Sequence, residues 1–226
     1  MLFYKTAMIE LDFSRAMVAF EALALGSIGS LLVGGLIGRV MKLNRMTLTS
    51  LMQAGFRGNL AFVGLPIALM YLGSIGESSA KLESQIYLIL APGIILYNLV
   101  GVILIQKGVS SEKGTVNLSL LKEIGKNPLI LSVVAGLSFG AVGFELGTVF
   151  TRTLSTLSGA VLPLALIGVG ASIELRRVQD FGVTALVAAV IKVAVNPALG
   201  WLAAWVLGLS AQEAKILVIL MITVIV

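Results

Sequence analysis

FRGNLAFVGLPIALMYLG, residues 56–73, is apolar enough to lie in a bilayer, yet it carries an asparagine, three glycines and a proline. A backbone group left unpaired in hydrocarbon is costly, so an interrupted membrane helix persists only where protein or a water-filled cavity covers the interruption. The stretch is therefore either a packing kink or a binding site. Arg57, Asn59, Gly64 and Pro66 fall within ten residues, and an unwound turn there exposes carbonyls on one side and N–H groups on the other. Discontinuous helices of this kind present positive dipole ends to anionic substrates at the membrane midplane, which favours the binding reading.

The rest of the chain supplies the membrane. Of 226 residues, 58% are hydrophobic and 12% charged, with a mean hydropathy of +1.05. The apolar runs last about 20 residues or more, which at 1.5 Å per residue is about 30 Å, the hydrocarbon thickness, so the spans are helices. The fold class is an all-α, multi-span helical bundle in the lipid bilayer, placed in the cell (inner) membrane. Strand-length alternation of the kind that marks an outer-membrane barrel is missing. The absence of cysteine and histidine excludes thiolate and imidazole metal sites and a His-based triad. No nucleophile and base pair stands at membrane depth, so neither an enzyme nor a cofactor is expected. The net charge of +5 is scattered between spans without a basic face, which argues against nucleic acid as a partner.

Six spans are expected: residues 16–40, about 47–72, about 85–105, 127–144, 154–175 and 181–207. The expected organisation is an extracytoplasmic segment at 1–15, three spans within 16–105, a connecting loop at 106–127 whose second half reads as an interfacial amphipathic helix, and a second, incomplete group at 128–226. That group ends on residues 216–226, an eleven-residue run or about 16 Å of helix, roughly half a bilayer. A fragment of a longer protein is the expectation. Nine Lys and Arg fall in the connectors on one side and five on the other; the richer side, which includes the central loop, is cytoplasmic.

Other candidates are read against plainer roles. Gly34 and Gly38, Gly136 and Gly140, and Gly143 and Gly147 are spaced for close helix packing. Glu21 and Glu145 lie near span ends, where a carboxylate is wet. Lys192 stands near the middle of the sixth span, where an ammonium must face a cavity or a partner, and Asn196-Pro197 frees carbonyls one turn earlier. Pro92, with Tyr97 and Asn98 beyond it, reads as a kink.

These landmarks together resemble the auxin efflux carrier family, in its bacterial malonate and malate permease-like branch. The residues that carry the resemblance are Asn59-x4-Gly64-x-Pro66 with Phe56-Arg57-Gly58 before it, Tyr97-Asn98 after a proline-bearing span, and Asn127-Pro128 after the central loop. They continue with LPLALIGVGASIEL at residues 162–175 and Lys192-x4-Pro197. The resemblance implies a ten-helix transporter of two inverted repeats with a broken crossing helix in each, of which this chain holds part. It implies a secondary carrier moving a small organic anion, a carboxylate or dicarboxylate, by alternating access. Asn59, Gly64, Pro66, Tyr97, Asn98 and, more weakly, Lys192 would form the substrate site. A sodium-coupled symporter of the related bile acid type and an inactive truncated membrane protein are the alternatives. A homodimer is admitted, without any residue requiring it.

Overall fold

The structure is a computed structural model that describes residues 13–74, 80–109, 128–142, 147–172 and 182–223. Helix α1 runs over Phe13–Val40, α2 over Arg45–Phe56 and α3 over Leu65–Ser74, with a π-helical turn at Leu60–Gly64 between the last two. Helices α4 (Ala80–Val109), α5 (Pro128–Val142) and α6 (Thr148–Ser172) follow. Next come α7 (Val183–Val190), a second π turn at Ile191–Val195, α8 (Asn196–Val206) and α9 (Ala211–Ile222). Among the described residues, four segments are long and apolar enough to cross a membrane: Ser14–Val40, Arg45–Ser74, Gln85–Ile105 and Val183–Val206. The expected interfacial helix after residue 114 lies outside the described residues, as does Glu145.

Helix α1 sorts its side chains as a membrane helix does. Leu25, Ile28, Leu32 and Leu36 recur every three or four residues on an exposed face, while Ala19, Ala22, Gly26, Ser27, Ser30, Gly34 and Gly38 are buried. Lipid is as apolar as leucine, so association favours small residues that let backbones approach. At Gly26 an added Cβ would sit 2.7 Å from the Cα of Gly200, so α1 and α8 cross backbone to backbone. Gly34 and Gly38 receive α2 through Met52 and Leu48, in agreement with the packing reading of that pair. Among the described residues nothing lies within 4 Å of a Cβ added at Gly147, and Gly143 lies outside the described residues.

Short connectors bring these helices together. Lys42 adopts a left-handed φ of 53°, and Leu43 N–H returns to the carbonyl of Gly38, which closes α1 with a C-terminal turn. Asn44 then caps α2, its side-chain oxygen accepting from Thr47 N–H at 2.8 Å. At the far end Ser210 and Glu213 form a reciprocal capping box on α9, and Arg15 of α1 pairs with Glu213 at 3.5 Å. This box starts α9 at residue 211, five residues before the apolar run begins.

Both π turns stand in the same relation to a proline. Leu65 N–H bonds to Leu60 C=O and Asn196 N–H bonds to Ile191 C=O, five residues back in each case. The next residue is Pro66 in one case and Pro197 in the other. A proline ring clashes with the carbonyl four residues before it and offers no N–H to that carbonyl. Widening the preceding turn by one residue moves the carbonyl aside, so the chain stays helical through both prolines.

Candidate functional site

The backbone leaves the helix at the end of α2. Arg57 is extended, at φ −74° and ψ 130°, and helical bonding resumes only at Leu60, with Asn59 as the capping residue at φ −86° and ψ 70°. The interruption therefore occupies residues 57–59, half-way along Arg45–Ser74. It lies at the upstream end of the expected cluster from Arg57 to Pro66, because the π turn accommodates Pro66 and Gly64 within helix. Asn59 marks the end of the break: its side-chain oxygen accepts from Phe62 N–H at 3.1 Å, and its backbone carbonyl accepts from Gly64 N–H at 2.9 Å.

The break opens on a cavity of about 210 Å³. Of the residues expected in the site, Asn59, Tyr97 and Asn98 line it together. Gly64, Pro66 and Lys192 do not. Gly64 is buried where α9 packs, so that an added Cβ would meet Leu220 at 3.1 Å, and Pro66 is buried in α3. Arg57 and Gly58 also line it, as do the apolar residues Leu60, Ala61, Phe62 and Ile94.

Most of the polar side chains there are already engaged. Tyr97 is 3% exposed; its hydroxyl shares a 2.8 Å hydrogen bond with Ser27, and its ring meets Phe56 edge-on at 5.4 Å. Asn98 donates to the carbonyl of Ile94 at 2.9 Å and accepts from an Nη of Arg57 at 3.2 Å. Arg57 reaches across from the break to α4, where Gly101 leaves room for its guanidinium. Arg15–Glu213 is the ion pair found among the described residues, so Arg57 has no carboxylate partner there.

A second polar layer lies behind the break. Lys192, 1% exposed, donates from Nζ to the carbonyl of Phe56 at 3.3 Å. Asn196, four residues on, donates from Nδ2 to the carbonyl of Met221 at 3.0 Å. A single helical face thus ties the terminal carbonyls of α2 and α9, which their own helices leave unpaired. The two ends also touch: a Cβ on Gly58 would lie 3.0 Å from the carbonyl oxygen of Thr223 and 3.1 Å from Lys192 Nζ. The sequence signalled Lys192 as a buried cation, but not that its partner is a carbonyl 136 residues away. It gave Arg57 a place in the cluster and no role. Ser27, Ser30 and Thr223 carried no signal, because a hydroxyl in a membrane helix is unremarkable until its partner is known.

A family profile described as "Membrane transport protein" matches residues 6–224. The chain belongs to that family. This is the auxin efflux carrier grouping that its landmarks resemble. An uncharacterised transporter of Methanocaldococcus jannaschii is 26% identical over 189 residues, covering 81% of this chain and 58% of that protein. A Rhizobium meliloti protein named "Putative malonate transporter" is 28% identical over 131 residues, covering 56% of this chain and 38% of that protein. The chain of this membrane transport protein thus spans less than two thirds of either relative. No solved structure gives a significant match.

Proposed function

We propose that this membrane transport protein is a secondary carrier, or the greater part of one, that moves a small organic anion across the membrane by alternating access. The observation that carries the reading is the interruption at residues 57–59: it falls half-way along a span and opens on a cavity lined by a guanidinium and two amides together with apolar side chains. Unpaired backbone is tolerated at that depth only beside protein or a hydrated hollow, and discontinuous helices at the midplane are the usual carriers of substrate sites in transporters. Asn59 holds the break in shape through Phe62 N–H and turns its side-chain amide toward the substrate, while Tyr97 forms the floor. Transport proceeds by one group of helices rocking against the other around this point.

The test is uptake of labelled malonate and of short monocarboxylates into proteoliposomes. Uptake above that of protein-free vesicles is expected, with Asn59→Ala lowering the initial rate at least about tenfold while costing only about 1 kcal/mol of stability as a lost cap. Uptake of none of these acids overturns the function. Undiminished uptake by Asn59→Ala overturns the role of that residue alone. A strict sodium requirement would move the reading to a sodium-coupled symporter.

A further inference from the structure

The charge and most of the uncommitted hydrogen-bonding capacity in the cavity have one sign. The side-chain oxygen of Asn59 already accepts from Phe62 N–H, that of Asn98 accepts from Arg57 while one Asn98 N–H goes to Ile94 C=O, and the Tyr97 hydroxyl shares its bond with Ser27. The uncommitted N–H groups are those of the Asn59 amide, the second of the Asn98 amide and those of Arg57 beyond the one given to Asn98, and Arg57 is the one charged residue among those that line the cavity. A guanidinium keeps its charge and presents donors in a planar fork. The complement of a donor-rich, singly positive cluster is an acceptor-rich, singly negative group, and an ionised carboxylate is such a group.

Resting on the anion-carrier reading above, the geometry points to Arg57 as the specificity-determining residue: with the Asn59 amide it clamps one carboxylate of the substrate, and Asn98 is the positioning residue that holds the guanidinium toward the cavity. The remainder of the substrate lies against Leu60, Ala61, Phe62 and Ile94. The volume of about 210 Å³ exceeds the ~150 Å³ that holds a benzene molecule and falls short of the ~300 Å³ at which drug-sized pockets begin. The substrate is therefore a small carboxylic acid. One carboxylate is required, and a second adds little, since Arg57 is the one charged residue among those that line the cavity.

Three compounds of nearly one shape separate these statements: malonate, malonamate, which keeps one carboxylate and replaces the other by an amide, and malonamide, which has none. Binding to the protein in lipid nanodiscs is measured by calorimetry. Malonamate is expected to bind within about threefold of malonate, and malonamide at least about 30-fold more weakly, the scale of a lost charged hydrogen bond. Arg57→Gln is expected to weaken both acids by a similar factor, with Arg57→Lys restoring part of it and Asn98→Ala causing a smaller loss. Equal binding of malonate and malonamide, or unchanged binding in Arg57→Gln, overturns the clamp while leaving the carrier reading intact. Malonamate as weak as malonamide overturns the single-carboxylate requirement. No binding of either acid to the wild-type protein overturns the clamp where short monocarboxylates are still taken up, and the carrier reading itself where they are not. A second measurement guards against a variant that fails to fold: phenylglyoxal modification of Arg57 in the wild-type protein, read by mass spectrometry, should be slowed by malonate and not by malonamide. Equal modification with and without malonate also overturns the clamp.

Discussion

Helices α2 and α9 are the same object built from different residues. Each has twelve residues and an extended N-cap at nearly the same angles, φ −61° and ψ 161° at Asn44 against φ −64° and ψ 158° at Ser210. Each also ends on an extended residue, Arg57 at φ −74° and ψ 130° and Thr223 at φ −64° and ψ 127°. Yet α2 stops before Gly58-Asn59, which favours a break, whereas α9 stops at Ile222-Thr223, which does not. Conversely, Gly64 and Pro66 look like breakers and sit in helix. What the two ends share is a donor from another part of the chain on a carbonyl of the last turn, not a breaker in the sequence. For α2 the partner is Lys192; for α9 it is Asn196, with Thr223 folding its own hydroxyl onto Leu220 C=O at 2.8 Å.

The likeness is broken most severely at the point where the two ends meet. Gly58→Val places a branched side chain against Thr223 O and Lys192 Nζ, and because one neighbour is backbone the contact cannot relax by a rotamer change. A loss of about 1–3 kcal/mol is expected, seen as a lower midpoint in thermal unfolding in detergent micelles together with loss of malonate uptake. A wild-type midpoint would mean that the two ends do not approach as described.

The two ties can then be cut separately. Lys192→Met leaves Phe56 C=O buried without its donor, an expected loss of about 1–3 kcal/mol. Asn196→Leu also removes a donor, but it removes at the same time the Asn196 side-chain oxygen, which is buried without a partner, so its net cost is expected to be under about 1 kcal/mol. Amide hydrogen exchange distinguishes them: Lys192→Met should speed exchange around residues 56–60 and Asn196→Leu around residues 220–223, each leaving the other end unchanged. Equal acceleration at both ends in either variant would show that the ends melt as one unit.

The smallest effects belong to the starts of the two helices. Asn44→Ala and Ser210→Ala should each cost about 1 kcal/mol, equal within about half of that, in the same thermal assay. A clear inequality would locate an extra contribution in the box that Glu213 makes with Ser210 N–H at 2.8 Å.

Much of the architecture was legible beforehand. The spans expected at 16–40, 85–105 and 181–207 lie on α1, α4 and α7 to α8, because about 20 apolar residues in lipid leave helix as the available structure. The landmarks around Asn59, Tyr97-Asn98 and Lys192 were sufficient for the family. The internal arrangement of the site was less legible, since each contact that shapes it joins distant parts of the chain: Arg57 to Asn98 across 41 residues, Tyr97 to Ser27 across 70 and Lys192 to Phe56 across 136. Gly64 and Pro66 were placed in the unwound cluster because a π turn, which absorbs a proline without uncoiling, leaves no mark in the sequence.

By itself, then, the order of residues determined that this chain is a bundle of membrane helices with an irregularity near Asn59. Its solvent is hydrocarbon, and backbone in hydrocarbon must bond to itself. Only the tertiary structure decided that the irregularity is a three-residue opening at 57–59 rather than a kink at Pro66. An opening is stable only where partners from other parts of the chain reach it, and Lys192 of the second π turn, Asn98 of α4 and Ser27 of α1 meet Phe56 C=O, Arg57 and Tyr97 only once those elements have packed.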